Sequence, residues 1–191
     1  MIKIVDFATS FDKTLWDQFQ KYVLTTTDTL AYNYVELYPE EFESFPVVII
    51  DNKIVCFSAL QVNESWWGKG IGRVSTRMWI HPDFRHKGKF TSGSKFLNTT
   101  YCLPLQLAKA KLLGLDCVFV SREHNPRAFE EYLKLIKVNC KVDFVMKPTK
   151  YALNGPCYVD DPESMKQWVM VHNITDTEVW ESNMEQYALE G

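Results

Sequence analysis

The chain has no C-x-x-C pair, no apolar run of membrane-spanning length, no internal repeat and no low-complexity tract. Each absence removes a class of protein. The five cysteines (Cys56, Cys102, Cys117, Cys140 and Cys157) are scattered and odd in number, which suits a reducing compartment better than a disulfide framework. The four histidines lack metal-ligand spacing; His81 and His86 bracket one loop, where ordinary loop roles outweigh a metal site. The amino-terminal MIKIVDF is too short for the apolar core of a secretory signal, so the expectation is a cytoplasmic protein with no membrane partner. A formal net charge of only -3 argues against a chain built to coat nucleic acid.

What is present is a core. With 191 residues, 46% hydrophobic and 14% aromatic, the sequence suits one domain with a substantial buried interior. Its charge is uneven: from Asp160 to Gly191 eight acidic residues stand against Lys166 alone, so the rest of the chain is net basic.

Ile2 to Phe7 alternates as a strand does. After Ser10 or Asp12 as a cap, Leu15, Trp16, Phe19, Tyr22 and Val23 recur at helical spacing. The stretch from Thr25 to Phe45 is polar, aromatic and acidic without a clear period. VVII and IVCFSALQV, separated by a turn at Asp51 and Asn52, predict an antiparallel hairpin. Arg73 to Ile80 is a third β-rich run. Thr91 or Ser92 can cap a helix running to Leu113 and ended by Gly114, with a kink or a division at Pro104. Cys117 to Ser121 predicts a short strand, and Asn125 followed by Pro126 predicts the start of a helix reaching about Ile136. Val142 to Met146 and Gln167 to His172 predict two more strands. The order β-α-β-β-β-loop-α-β-α-β-β implies an α+β, or mixed α/β, fold whose sheet is partly antiparallel and partly parallel.

The segment HPDFRHKGKF follows the strand ending in MWI and precedes a helix. A strand that passes through a glycine-containing turn into a helix gathers unpaired backbone N–H groups at one point, where the helix dipole also favours an anion. Gly88 permits close approach, and Arg85, His86, Lys87 and Lys89 add positive charge. A solvated basic turn is the alternative. Gly68, Gly70 and Gly72 in GKGIG look more like a nucleotide loop, yet they precede a strand and lack a helix after them, so they are read as a connection. Trp66 and Trp67 beside them either pack on the core or line an acceptor pocket.

MWIHPDFRHKGKF resembles the acyl-coenzyme A loop of the GNAT acetyltransferases, Gln/Arg-x-x-Gly-x-Gly/Ala. Arg85 and Gly88 match, Pro82 stands where the family often has proline, and Phe90 stands where a small residue is usual. HNPRAFEEYLKL resembles the second family pattern, Asn-x-x-Ala-x-x-x-Tyr-x-Lys, through Asn125, Ala128, Tyr132 and Lys134; Ile136 and Lys137 replace its following Gly-Phe. The resemblance spans residues 1–173 as one acetyltransferase domain, with 174–191 an acidic, helical extension of it.

That resemblance implies the acyl-CoA N-acyltransferase fold and acetyl-CoA, or another acyl-CoA, as co-substrate without a metal. Pantetheine would lie along Met78, Trp79 and Ile80, and the pyrophosphate would meet Arg85, His86, Lys87, Gly88, Lys89, Phe90 and Thr91. Asn125 would serve as helix cap, coenzyme contact or both, and Tyr132 as the acid that protonates the thiolate or as a core residue of its helix. Where many relatives place a carboxylate on the central strand, this chain has Ser75, Thr76 and Arg77. Glu64, Asp83, Glu123, His124 or a water relay is then the base. The acceptor would be a small-molecule or lysine-type amine, nucleic acid is disfavoured, and a homodimer is left open. The competing reading is a catalytically inactive module that keeps the fold and binds CoA or a protein partner, consistent with Phe90 and with the missing carboxylate.

Overall fold

The computed structural model describes residues 1–28, 31, 34–64, 69–85, 97–121, 126–141, 145–149 and 167–172. Strand β1 spans Ile2–Asp6 and helix α1 spans Lys13–Thr25. Asp12 is the cap: its carboxylate accepts the Leu15 N–H at 3.0 Å, satisfying a donor that the first helical turn leaves open. Strands β2 (Pro46–Ile50) and β3 (Lys53–Val62) form the expected hairpin. Asp51 (φ 49°) and Asn52 (φ 58°) both take the left-handed conformation that a two-residue hairpin turn requires and that Asp and Asn tolerate.

Strand β4 spans Ile71–Ile80, helix α2 Leu103–Leu112, strand β5 Asp116–Ser121 and helix α3 Pro126–Cys140; strands β6 (Val145–Thr149) and β7 (Gln167–His172) complete the set. The element order is the one the sequence predicts. Strand β6 sits further along than expected, with residues 142–144 outside the described set. Pro104 marks the expected division into two helical stretches. It occupies the first turn of α2, where its missing N–H costs nothing, directly after a widened turn over Asn98–Cys102 in which the Leu103 N–H reaches the Asn98 carbonyl. Gly114, with φ +66°, ends α2 as expected.

The seven strands form one sheet in the order β1-β2-β3-β4-β5-β7-β6, antiparallel throughout except for the parallel pair β4 and β5. Alternation along the strands sends side chains to opposite faces. Val47, Ile49, Phe57 and Trp79 pack against Trp16, Phe19 and Val23 of α1. Val48, Cys56 and Ile80 instead meet Leu97 and Cys102 just before α2, while Leu60, Val74 and Phe119 meet Leu103, Ala110 and Ile136. Phe57 is the hub of the α1 layer, its ring 5.1 Å from those of Phe19 and Phe45 and 5.6 Å from that of Trp16. Truncating it to Ala would cost about 3–5 kcal/mol. Among the described residues, no helix is long and apolar enough to cross a membrane. Trp66, Trp67 and the extension 174–191 lie outside the described residues.

Candidate active site

Strands β4 and β5 part company half-way along β4. Their pairing runs from Ile71 with Asp116 to Val74 with Phe119 and stops there, while β4 continues to Ile80 and the rest of β5 stays paired with β7. The edge of β4 from Ser75 onward therefore faces a gap, and among the described residues no strand fills it. The His81 N–H donates to the Val55 carbonyl at 2.8 Å, and Cys56 stands opposite Ile80. In an antiparallel pair the residue next to a hydrogen-bonded one turns its backbone groups the other way, so the N–H and C=O of Ile80 point to the edge that β5 has left.

The same half of β4 is bulged twice. Phe57, Ala59 and Gln61 of β3 stand opposite Trp79, Thr76 and Arg73, so each step of two residues in β3 spans three in β4. The extra residues include Ser75 (φ 55°) and Arg77 (φ 52°), both in the left-handed region at a cost of about 1–2 kcal/mol each. Such conformations persist where the surroundings enforce them. At Ser75 the surroundings are polar and buried: its N–H donates to Gln106 Oε1 at 2.7 Å, Gln106 Nε2 donates to Ser58 Oγ at 2.6 Å, Ser58 Oγ donates to Asn98 Oδ1 at 2.5 Å, and Asn98 Nδ2 donates back to Ser75 Oγ at 2.9 Å. Ser75 and Thr76 are buried and Arg77 is exposed, although it belongs to a central strand.

At its far end β4 enters a short turn, Pro82–Phe84, and then Arg85. The Arg85 guanidinium meets Asp28 end-on, at 3.0 and 2.9 Å, and its backbone N–H donates to the Pro82 carbonyl at 3.2 Å. Asp28 also accepts the Trp79 indole N–H at 3.1 Å. Beside this cluster the Tyr34 hydroxyl donates to the Met78 carbonyl. Burial pushes the Tyr34 phenol up to about 12, against the opposing pull of Arg77 and Arg85, so it remains a donor.

Of the residues singled out in the sequence, Met78, Trp79, Ile80 and Arg85 come together along this one strand and the turn after it. Trp79 is only 2% exposed and its ring faces α1, so only its backbone could meet a ligand in the gap. Tyr132 is on α3. His86, Lys87, Gly88, Lys89, Phe90, Thr91, Asn125, Glu123 and His124 lie outside the described residues. Glu64 is exposed, and Asp83 is exposed with its carboxylate 3.7 Å from His81 Nδ1. Cys117 is a core residue as expected, its thiol pushed up to about 12 chiefly by burial. Asp28, Tyr34, Ser58, Asn98 and Gln106 went unnoticed in the sequence. Gln106 alone left a trace: with Leu103 and Ala110 it lies on the buried stripe of α2, a polar residue at a core position.

No protein-family model matches the sequence, and no match is found among curated proteins. Solved structures do match. The chain is similar to a GNAT family acetyltransferase from Elizabethkingia anophelis with acetyl-CoA bound, at 14% identity and a TM-score of 0.51, over 90% of this chain and 97% of that one. It is similar to an acetyltransferase of the GNAT family from Streptococcus pneumoniae, at 13% identity and a TM-score of 0.51, over 90% and 98% of the two chains. It is also similar to the yncA protein of Salmonella typhimurium with its cofactor acetyl-CoA, at 13% identity and a TM-score of 0.51, over 92% and 98%. The chain thus has the acyl-CoA N-acyltransferase fold, a mixed sheet flanked by helices.

Proposed function

We propose that this chain is a cytoplasmic N-acyltransferase that moves an acyl group, acetyl in the simplest case, from acyl-CoA to a primary amine by direct attack. The observation that carries the reading is the edge of β4 left unpaired by β5, which ends at the turn into the basic, glycine-bearing loop. An extended pantetheine arm with its own amides suits such an edge, because it can take up strand-like backbone hydrogen bonds there. In this reading the arm meets the backbone around Met78 and Ile80, and the pyrophosphate meets the loop from Arg85 to Thr91 at the approach to α2. Asn125, which precedes α3 in the sequence, is in this reading a further coenzyme contact.

The chemistry then needs three things. The amine nitrogen, once neutral, attacks the thioester carbonyl carbon. A backbone N–H of β4 stabilises the oxyanion, and the C–S bond breaks as the amide forms. The ammonium loses one proton through water before attack and the attached nitrogen a second as the amide forms, while Tyr132 protonates the departing thiolate and is itself reprotonated through water. The acceptor is a small-molecule or lysine-type amine.

A second reading, a module that binds CoA without transfer, is favoured by one feature: polar groups of the site are already satisfied internally, Arg85 by Asp28 and the Met78 carbonyl by Tyr34. Release of free thiol from acetyl-CoA with a panel of amines separates the two. Transfer predicts amine-dependent thiol release that falls about 100-fold or more in Tyr132→Phe. Binding of acetyl-CoA with no release above the amine-free rate would leave the module.

A further inference from the structure

We propose that Ser58, Asn98 and Gln106 are positioning residues for acyl transfer, acting through the backbone of Ser75; the proposal rests on the acyltransferase reading above. Ser75 is the residue of β4 directly after the last pair with β5, so its conformation sets the direction in which β4 leaves its neighbour. That conformation is left-handed, with φ 55°.

Four buried polar side chains close a ring around it. Gln106 uses its oxygen on the Ser75 N–H and its nitrogen on Ser58, while Asn98 uses its oxygen on Ser58 and its nitrogen on Ser75 Oγ, with every contact between 2.5 and 2.9 Å. Each amide is thereby fixed in one orientation, and Ser58, Asn98 and Gln106 are 0% exposed. A core that needed only to be filled would be served by apolar side chains of the same volume; a satisfied polar ring instead specifies one arrangement. What it specifies here is a backbone turn.

The members of the ring also come from the right places. Ser58 lies on β3, Asn98 opens the widened turn directly before α2, Gln106 lies on α2, and Ser75 begins the unpaired edge. The ring therefore ties β3 and the helical segment around α2 to the point on β4 where an acyl carbonyl would meet a backbone amide. Loosening it should harm recognition of the acyl group more than recognition of CoA.

Isothermal titration with acetyl-CoA and, separately, CoA tests this on wild type, Gln106→Met and Ser58→Ala, with a thermal melt of each variant as a folding control. The expected result is that the variants weaken acetyl-CoA about ten-fold while CoA changes by about two-fold or less, as loss of one oriented hydrogen bond to the acyl oxygen requires. Equal weakening of both ligands, or of neither, would overturn the positioning role. Wild type that binds neither ligand would instead remove the acyltransferase reading itself. If the variants do not fold, amide exchange in wild type decides: the Ser75 N–H should exchange as slowly as those of the central strands, and exchange at a surface-loop rate would contradict the proposal.

Discussion

Arg85 and Asp28 form an end-on, two-bonded ion pair, Nη1 to Oδ1 at 3.0 Å and Nη2 to Oδ2 at 2.9 Å, across 57 positions of sequence. The side chain of Asp28 is 8% exposed and that of Arg85 25%. With the Trp79 indole also donating to it, Asp28 ties the segment after α1 both to the end of β4 and to the residue that opens the basic loop. The arginine that the sequence motif assigns to an anion is thus anchored by a carboxylate of the chain itself.

Removing the two partners should not cost the same. Arg85→Ala takes the guanidinium from a nearly buried carboxylate, whereas Asp28→Ala leaves a guanidinium that water can still reach. Urea denaturation should show a loss of about 2–3 kcal/mol for Arg85→Ala and a smaller one for Asp28→Ala. Equal losses would mean that the carboxylate is better hydrated than its burial implies.

Tyr34→Phe removes the hydroxyl that donates to the Met78 carbonyl and keeps the ring packed 5.2 Å from that of Phe57. Stability should fall by about 1–2 kcal/mol, the cost of leaving a half-buried carbonyl without its donor. No change in the denaturation midpoint would show that the carbonyl finds another donor.

The buried thiol of Cys117 gives the fold an alkaline limit. An unfolded thiol titrates near 9.0 while the folded one is pushed up to about 12, so above pH 9 the unfolded chain loses its proton first. This contribution to stability is complete below about pH 9 and is lost as the pH rises toward 12. Denaturation curves from pH 8 to about 11 should therefore fall less steeply for Cys117→Val than for wild type. Parallel curves would mean that the thiol titrates alike in both states.

Much of the fold was legible because local chemistry and tertiary demand agree. Asp51 and Asn52 can adopt the turn the hairpin needs, Asp12 can cap α1, and Gly114 can end α2. Of the candidate site, the sequence marks only a contiguous stretch, whose described part runs from Met78 to Arg85 along the end of β4 and the turn after it. Asp28 and Tyr34 stand in a stretch without periodicity, and their roles depend on partners 57 and 44 positions away. Ser58, Asn98 and Gln106 form a ring that exists only after β3, β4 and α2 have packed, and no spacing in the sequence encodes it. Pro104 shows a subtler limit: its incompatibility with a continuous α-helix was plain, but the widened turn that precedes it was not.

The central claim is that the loop after β4 receives an acyl-CoA, and a thermal-shift titration with acetyl-CoA on wild type and Gly88→Glu tests it most directly. At about one hundred times its dissociation constant a ligand adds roughly 2.7 kcal/mol to the folded state, a rise of several degrees for a domain of this size. Wild type should show that rise, and folded Gly88→Glu, with a side chain and a negative charge in the loop, should not. A wild-type melting temperature unmoved at saturating acetyl-CoA would contradict the account and leave HPDFRHKGKF as a basic turn.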